Sequence, residues 1–224
     1  MQLHRTALSA AAALALAAPA SAVPATAKEK IVIVVDSSGS MAQRAGGRSR
    51  MAAARAVIGD LVDGWDKDTE LGLIAYGHRR KGACDDIQVI VPVGKVRPRR
   101  IRRAVSRLRP VGKTPLSASV RRAAELLEFT EDKATVILIS DGKENCKADP
   151  CALGRELERK GVDFTAHVIG FDVRKSERAG LRCLAENTGG RYADAANPDA
   201  LEKELAKAVE EKPKTGGPLT FQAV

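Results

Sequence analysis

Residues 30–40 read Lys-Ile-Val-Ile-Val-Val-Asp-Ser-Ser-Gly-Ser, an unbroken apolar run that ends in a carboxylate and hydroxyls. A β-branched run without polar alternation is typical of a strand buried on both faces, as in a parallel sheet. The same signature returns at residues 134–139 and, more weakly, at 164–170, and a shorter run occupies residues 71–76. The sequence therefore predicts a set of buried parallel strands.

Segments with helical spacing of apolar residues separate these runs. They are marked by Met51 to Leu61, Ile101 to Leu108, Leu116 to Leu127, Leu153 with Leu157, Leu181 with Leu184, and Leu201 to Val209. Strands that alternate with helices predict right-handed crossovers and an open, doubly wound α/β sheet. Residues 87–93 follow the run at 71–76 too closely for a crossover helix, so we expect an antiparallel edge strand there.

Length and composition bound the organisation of the chain. With 224 residues, 44% apolar and 29% charged, it suits one domain and is not typical of disorder or of a polytopic membrane protein. A cationic start, a short Ala/Leu core and Ala20-Ser21-Ala22 predict a cleaved signal peptide and export to the periplasm or beyond, with no transmembrane span in the mature form. The expected division is signal peptide 1–22, leader 23–29, folded domain 30–210 and tail 211–224.

Oxygen-bearing side chains gather at the predicted carboxyl edge of the sheet. Asp36, Ser38 and Ser40 alternate directly after the first strand, Thr114 precedes the third helix, and Asp141 ends another strand. Each residue alone is typical of a cap or a turn, but together they supply two carboxylates and three hydroxyls. This hard-oxygen set predicts a Mg²⁺ or Mn²⁺ site that water and an incoming ligand oxygen would complete.

The motif Asp36-x-Ser38-x-Ser40, with Thr114 and Asp141-Gly142, resembles the metal-ion-dependent adhesion site (MIDAS) of von Willebrand factor type A domains. The resemblance extends over roughly residues 30–210, and segments 76–82 and 139–144 are similar to bacterial secreted members. It implies a six-stranded sheet of order 3-2-1-4-5-6, with strand 3 antiparallel and helices on both faces.

The resemblance also implies a function. Ser38, Ser40 and Thr114 would give hydroxyls to Mg²⁺, with Mn²⁺ or Ca²⁺ as other candidates, and Asp36 and Asp141 would act directly or through water. The metal would bind an Asp or Glu side chain of a partner protein. We therefore expect an exported, non-enzymatic binding domain whose partner and oligomeric state the sequence does not identify.

Two alternative functions are a metal-dependent phosphoryl hydrolase and a metal-free structural module. The second acid of a haloacid-dehalogenase-like phosphatase is replaced by Ser38, and the glycine that a phosphate loop needs before Gly112-Lys113-Thr114 is replaced by Arg107. No Gly-x-Ser-x-Gly elbow occurs. His167 lies in an apolar run and is expected in the core, whereas His78 ends a strand and could contact a ligand.

Four cysteines, Cys84, Cys146, Cys151 and Cys183, permit two disulfides in an oxidising compartment. In the strand order that the resemblance implies, Cys84 and Cys183 lie over distant strands. Cys84–Cys146 with Cys151–Cys183 is therefore favoured. A local Cys146–Cys151 bridge with two free thiols is the alternative.

The formal net charge is +9, and seven arginines between Arg97 and Arg109 surround the stripe Ile101, Val105 and Leu108. The stripe should face the sheet and the arginines should face water. A functional interpretation is that this face, or residues 79–81, steers an acidic partner toward the metal. Nucleic acid is not expected as a partner of an exported protein.

Overall fold

The computed structural model describes residues 29–211. Its strands are β1 (Lys30–Asp36), β2 (Arg44–Ala45), β3 (Arg48–Ser49), β4 (Glu70–Tyr76), β5 (Ile87–Val91), β6 (Ala134–Ser140), β7 (Phe164–Phe171) and β8 (Tyr192–Ala195). Its helices are α1 (Arg50–Leu61), α2 (Pro98–Ser106), α3 (Leu116–Leu126), α4 (Pro150–Lys160), α5 (Arg178–Glu186) and α6 (Pro198–Glu210). Short 3₁₀ turns lie at Gly39–Ala42 and Lys175–Glu177.

Six strands form one sheet in the order β5-β4-β1-β6-β7-β8, and β2 and β3 form a separate hairpin. All neighbours in the large sheet pair in parallel except β4 with β5. Numbered along the six strands, this order is 3-2-1-4-5-6 with strand 3 antiparallel. The predicted doubly wound α/β fold is confirmed.

The central strand β1 is apolar throughout its middle because helices cover both of its faces. Ile31, Ile33 and Val35 pack with α1, α2 and α6 on one face, and Val32 and Val34 pack with α3, α4 and α5 on the other. All five side chains are at most 1% exposed. A strand covered on both faces has no solvent-facing positions for polar residues. All positions of β1 between its first residue, Lys30, and its last, Asp36, are therefore apolar.

Two element boundaries differ from the sequence prediction. The edge strand β5 ends at Val91, before Pro92, because proline has no N–H to give to a ladder. Helix α2 ends at Ser106, and Leu108 reaches the core from the turn that follows. The predicted burial of Ile101 and Val105 under exposed arginines is confirmed.

The favoured disulfide pairing is confirmed, and the alternative Cys146–Cys151 bridge is wrong. Cys84–Cys146 has a Cα–Cα distance of 5.7 Å and ties the loop between β4 and β5 to the loop after β6. Cys151–Cys183 has a Cα–Cα distance of 5.1 Å and ties α4 to α5. None of the four cysteines is free.

The signal peptide predicted at 1–22, the leader up to residue 28 and the tail beyond Glu211 lie outside the described residues, so they stay predictions. Glu29 accepts a backbone hydrogen bond from Glu70 at the beginning of the sheet. Between residues 29 and 211, no helix has both the length and the apolar character that a membrane span requires.

Candidate functional site

The site begins where β1 ends. Asp36 is fully buried, and its two carboxylate oxygens accept from Ser38 N at 2.8 Å and from Ser140 Oγ at 2.7 Å. Tyr76 donates its hydroxyl to Ser140 Oγ at 3.2 Å. Asp36 therefore has a fixed orientation, set by its own loop and by the ends of both neighbouring strands.

The loop after β1 curls so that alternate side chains converge. Ser38 Oγ lies 3.0 Å from Ser40 Oγ, and Ser40 donates its hydroxyl to Asp141 Oδ1 at 2.6 Å. The 3₁₀ turn at Gly39–Ala42 produces this curl. Four of the five residues singled out in the sequence, Asp36, Ser38, Ser40 and Asp141, thus form one connected cluster.

Thr114 reaches the same cluster through a contact between loops. Gly39 N donates to Gly112 O at 3.0 Å, and Gly112 N donates to Gly77 O at 2.7 Å. A Cβ at Gly112 would lie 2.7 Å from Gly77 Cα, so only glycine allows these loops to approach. Thr114 is 4% exposed and lines the same cleft as Ser40 and Asp141.

The loop after β6 holds Thr114 and the beginning of α3 in place. Asn145 Oδ1 accepts from Thr114 N at 2.8 Å, and Asn145 N donates back to Thr114 O at 3.3 Å. Glu144 accepts from Ser117 N at 2.8 Å and from Cys146 N at 2.7 Å. Because Cys146 is bonded to Cys84, this loop is also covalently fixed to the β4–β5 loop.

Two residues of the site were missed in the sequence. Arg50 Nη1 donates to Asp141 Oδ2 at 2.9 Å, and its Nη2 and Nε donate to Asp172 Oδ2 at 2.7 and 3.2 Å. Asp172 follows β7 directly and has a left-handed backbone, with φ of 54°. The sequence did offer one sign of Asp172, because it is a carboxylate that follows a predicted strand. No sequence feature pointed to Arg50.

A family model for the von Willebrand factor type A domain matches residues 31–144, the part of the chain that holds all five predicted site residues. The chain belongs to the von Willebrand factor type A domain family. Protein YwmD of Bacillus subtilis (strain 168), itself uncharacterized, is 30% identical over 200 residues, covering 82% of this chain and 88% of YwmD.

Solved structures share the fold at low identity. A von Willebrand factor type A protein from Catenulispora acidiphila has a TM-score of 0.67 at 21% identity, covering 82% of this chain and 42% of that one. The pilus adhesin SpaC of Lactobacillus rhamnosus GG has 0.65 at 18%, covering 83% and 30%. Proximal thread matrix protein 1 of the mussel byssus, with a zinc-occupied MIDAS motif, has 0.60 at 22%, covering 81% and 45%.

The electrostatics of this von Willebrand factor type A domain favour a cation at the cluster. Burial and the nearby charge of Asp36 raise the pKa of Asp141 to about 6, although bonds from Ser40 and Arg50 oppose the shift. Burial, followed by the charge of Asp36, also raises the pKa of Tyr76 well above its ordinary value. Among the described residues, Asp36 forms no ion pair with Lys, Arg or His. A buried carboxylate without a cation is costly, and Arg50, which pairs with Asp141, leaves the charge of Asp36 without a partner in residues 29–211.

The cluster opens into a cleft of about 410 Å³. Ser40, Thr114 and Asp141 lie on its wall. Three cations also line the cleft, and two of them are paired with acids there, Arg50 with Asp172 and Arg174 with Glu177. The third, Lys143, forms no ion pair within the described part of the chain. His78, which the sequence placed near the site, contacts Gln88 Oε1 at 2.9 Å instead and does not line this cleft.

The candidate metal ligands are hydroxyls as well as carboxylates. In residues 29–211, no group of three or more His, Cys, Asp or Glu side chains is placed to hold a metal ion. A site here must therefore use hydroxyls, and the observed oxygen separations of 2.6 to 3.0 Å suit them. Adjacent ligands of an octahedral Mg²⁺ at 2.0–2.1 Å lie about 3.0 Å apart. The residues present fit a small divalent cation with hard oxygen ligands.

Proposed function

We propose that this von Willebrand factor type A domain is an exported protein-binding domain that captures an Asp or Glu side chain of a partner through a divalent cation. Mg²⁺ is the first candidate, and Mn²⁺ and Ca²⁺ are the others. The ligands would be Asp36, Ser38, Ser40, Thr114 and Asp141. The observation that carries the proposal is the fully buried Asp36 carboxylate, which has no cationic partner in residues 29–211 and lies beside Asp141.

The chain's own residues prepare the site for a carboxylate ligand. Ser140 and the Ser38 amide fix Asp36, and Arg50 fixes Asp141, so these side chains need little reorganisation. Bound metal would supply an open coordination position for an anionic oxygen. Lys143 on the cleft wall would attract an anionic ligand, whereas Arg174 is already paired with Glu177.

Proteins of similar structure support a binding function. They include a pilus adhesin, minor pilins and a byssal thread protein with a zinc-occupied MIDAS motif. These proteins are adhesive or structural, which supports a non-enzymatic role and a location outside the cytoplasm. A phosphoryl hydrolase is not favoured, because the position two residues after Asp36 is Ser38, not a second acid.

Thermal unfolding in EDTA, and then with Mg²⁺, Mn²⁺ or Ca²⁺, tests the metal site. A ligand that binds only the folded state stabilises it by about 2.7 kcal/mol at a hundred times its Kd. We expect the wild type to gain in Tm and Asp36→Ala and Ser40→Ala to gain little. Ser40→Ala guards against misfolding of the first variant, since Ser40 is only partly buried. Ser106→Ala, an exposed serine of α2, is the matched control and should respond like the wild type.

Two results would contradict the proposed function. If the wild type shows neither a Tm gain nor heat of binding in direct calorimetric titration with all three cations, the metal site is refuted. The metal-free structural module would then be the better description. If the metals bind but carboxylate peptides do not bind more tightly in their presence, the capture of an acidic side chain is refuted.

A further inference from the structure

The net charge of this chain is concentrated in one segment, which we call the basic segment, residues 95–113. It contains nine Lys and Arg residues and no Asp or Glu. The whole chain has 37 Lys and Arg against 28 Asp and Glu, a net charge of +9. The charge of the basic segment therefore equals the net charge of the whole chain. In the remainder, the numbers of basic and acidic residues are equal.

The cations of the basic segment are presented to solvent on a fixed support. All nine are exposed, and within residues 29–211 only Arg102 forms an ion pair, with Asp60 and Asp63 of the α1 region. Ile101 and Val105 are at most 2% exposed and hold α2 to the core. Arg55 also donates to the carbonyl of Leu108. Eight of the nine like charges thus lie along one short segment without an acidic partner in the described residues to relieve their repulsion.

We propose that the basic segment is a second binding surface, which takes a run of Asp and Glu residues in a partner protein. Seven of its nine cations are arginines, whose planar guanidinium groups bind carboxylates through two parallel hydrogen bonds. A polyanion would relieve the repulsion among these groups, and, as far as the described residues extend, only at Arg102 would its carboxylates compete with acids of the chain.

The structure favours a protein occupant over a membrane. The apolar stripe of α2 is buried against the sheet, so the helix has no apolar face left to insert into lipid. Val111, 41% exposed, is the one large apolar side chain of the basic segment that the structure shows as exposed. The exposed side of the basic segment is charged and has almost no apolar surface, which suits binding to an acidic polypeptide.

The basic segment also leads directly into the proposed metal site. It ends at Lys113, next to Thr114, and Gly112 accepts a hydrogen bond from Gly39 in the loop of the metal ligands. A partner that places one carboxylate at the metal would extend its neighbouring acids over Lys113 and Arg109. This placement rests on the proposed function, whereas the affinity of the basic segment for acidic polypeptide does not.

Fluorescence anisotropy with a labelled oligoglutamate peptide tests the proposal. The peptide is titrated with the purified protein in EDTA, so that the metal site contributes nothing, and then with added Mg²⁺. The test variant reverses three charges of the basic segment, Arg99→Glu, Arg100→Glu and Arg103→Glu. The matched control is Arg155→Glu, Arg159→Glu and Lys203→Glu, three exposed cations elsewhere that also form no ion pair in the described residues. Circular dichroism verifies that both variants fold.

We expect the wild type to bind the peptide in EDTA, more weakly as NaCl rises. The basic-segment variant should lose about tenfold or more in affinity, and the control should lose less than about threefold. Equal losses in both variants would reduce the effect to net charge and overturn the proposal. Tighter binding to anionic lipid vesicles or to polyphosphate than to the peptide would refute the proposal that the ligand of the basic segment is a protein.

The metal arm separates this proposal from the proposed function. If Mg²⁺ tightens peptide binding by the wild type but not by Asp36→Ala, one partner uses both surfaces. If the peptide binds in EDTA and Mg²⁺ changes nothing, the basic segment stands and the metal-dependent capture fails.

Discussion

Arg50 and Arg191 each bridge two carboxylates, at different places in the fold. Arg50 does so at the carboxyl edge of the sheet, where its partners are two aspartates. Arg191 does so at the beginning of the edge strand β8, with its Nη1 2.6 Å from Glu204 and its Nε 2.7 Å from Glu211. Both clusters join one arginine to two carboxylates at similar distances, and they differ in burial and in nearby charge.

That difference is visible in the pKa values. Hydrogen bonds from Lys207 and Arg191 lower the pKa of Glu204, so its charge is favourable in the folded state. At the carboxyl edge, burial and Asp36 raise the pKa of Asp141 to about 6 in spite of its arginine. The cluster at β8 is satisfied by its own residues. At the carboxyl edge, Arg50 does not fully offset the carboxylates around it, which is consistent with the proposed cation site.

Replacing each arginine by methionine should give the largest contrast. Arg50→Met leaves the buried Asp141 without its guanidinium, and breaking a buried pair of this kind costs about 3 kcal/mol. Arg191→Met removes a more exposed bridge and should cost about 1 kcal/mol. Urea unfolding in EDTA measures both. Mg²⁺ should restore part of the loss in Arg50→Met and none in Arg191→Met; equal losses and equal responses would refute the contrast.

Neutralising one carboxylate in each cluster should change stability in opposite directions. The pKa of Asp141 is raised above 3.8, so its contribution is fully present below about pH 4 and is lost as the pH rises through about 6. In EDTA at pH 7, Asp141→Asn should therefore gain up to about 2 kcal/mol. Glu204→Gln should lose stability instead, because the pKa of Glu204 is lowered.

Urea midpoints measured between pH 4 and pH 8 check both signs. With Mg²⁺ present, Asp141→Asn should lose its advantage over the wild type, since the metal would favour the charged carboxylate. A destabilised Asp141→Asn in EDTA would show that Arg50 already satisfies this aspartate.

The smallest expected effect comes from His167, which lies beside Arg191. Burial lowers the pKa of His167 below 6.5, with Glu211 opposing the shift and Arg191 adding to it. Its contribution to stability is thus present above about pH 6.5 and is lost as the pH falls through the folded pKa. His167→Gln should flatten the acid side of the stability profile, and His78→Gln, at a half-buried imidazole, is the control. An unchanged profile in His167→Gln would contradict this assignment.

The strands were predictable where burial alone decides them. The runs at β1, β6 and β7 are apolar because helices cover both faces of the sheet, and this requirement is local in the sequence. Strand β8, Tyr-Ala-Asp-Ala, has no such run, and its strand conformation depends on pairing with Val168 to Phe171 of β7. That pairing is a tertiary fact, which a pattern of four residues does not show.

The same distinction separates the residues of the site. Asp36, Ser38 and Ser40 lie within five residues, and Asp141 and Thr114 flank elements with clear signals, so their convergence could be expected. Arg50 contacts Asp141 across 91 positions and Asp172 across 122. Nothing in the first turn of a helix distinguishes an arginine that turns inward from one that faces water.

The central position of β1 also determines how the domain carries a mechanical load. Glu29 lies at one end of this strand and Asp36, in the proposed binding site, at the other. Tension between a captured partner and the start of the strand would run along β1 itself. Its ladders with β4 and β6 would then be loaded in shear, with seven registered pairs on one side and five on the other resisting together. A pull in this direction would load these pairs together and not one after another.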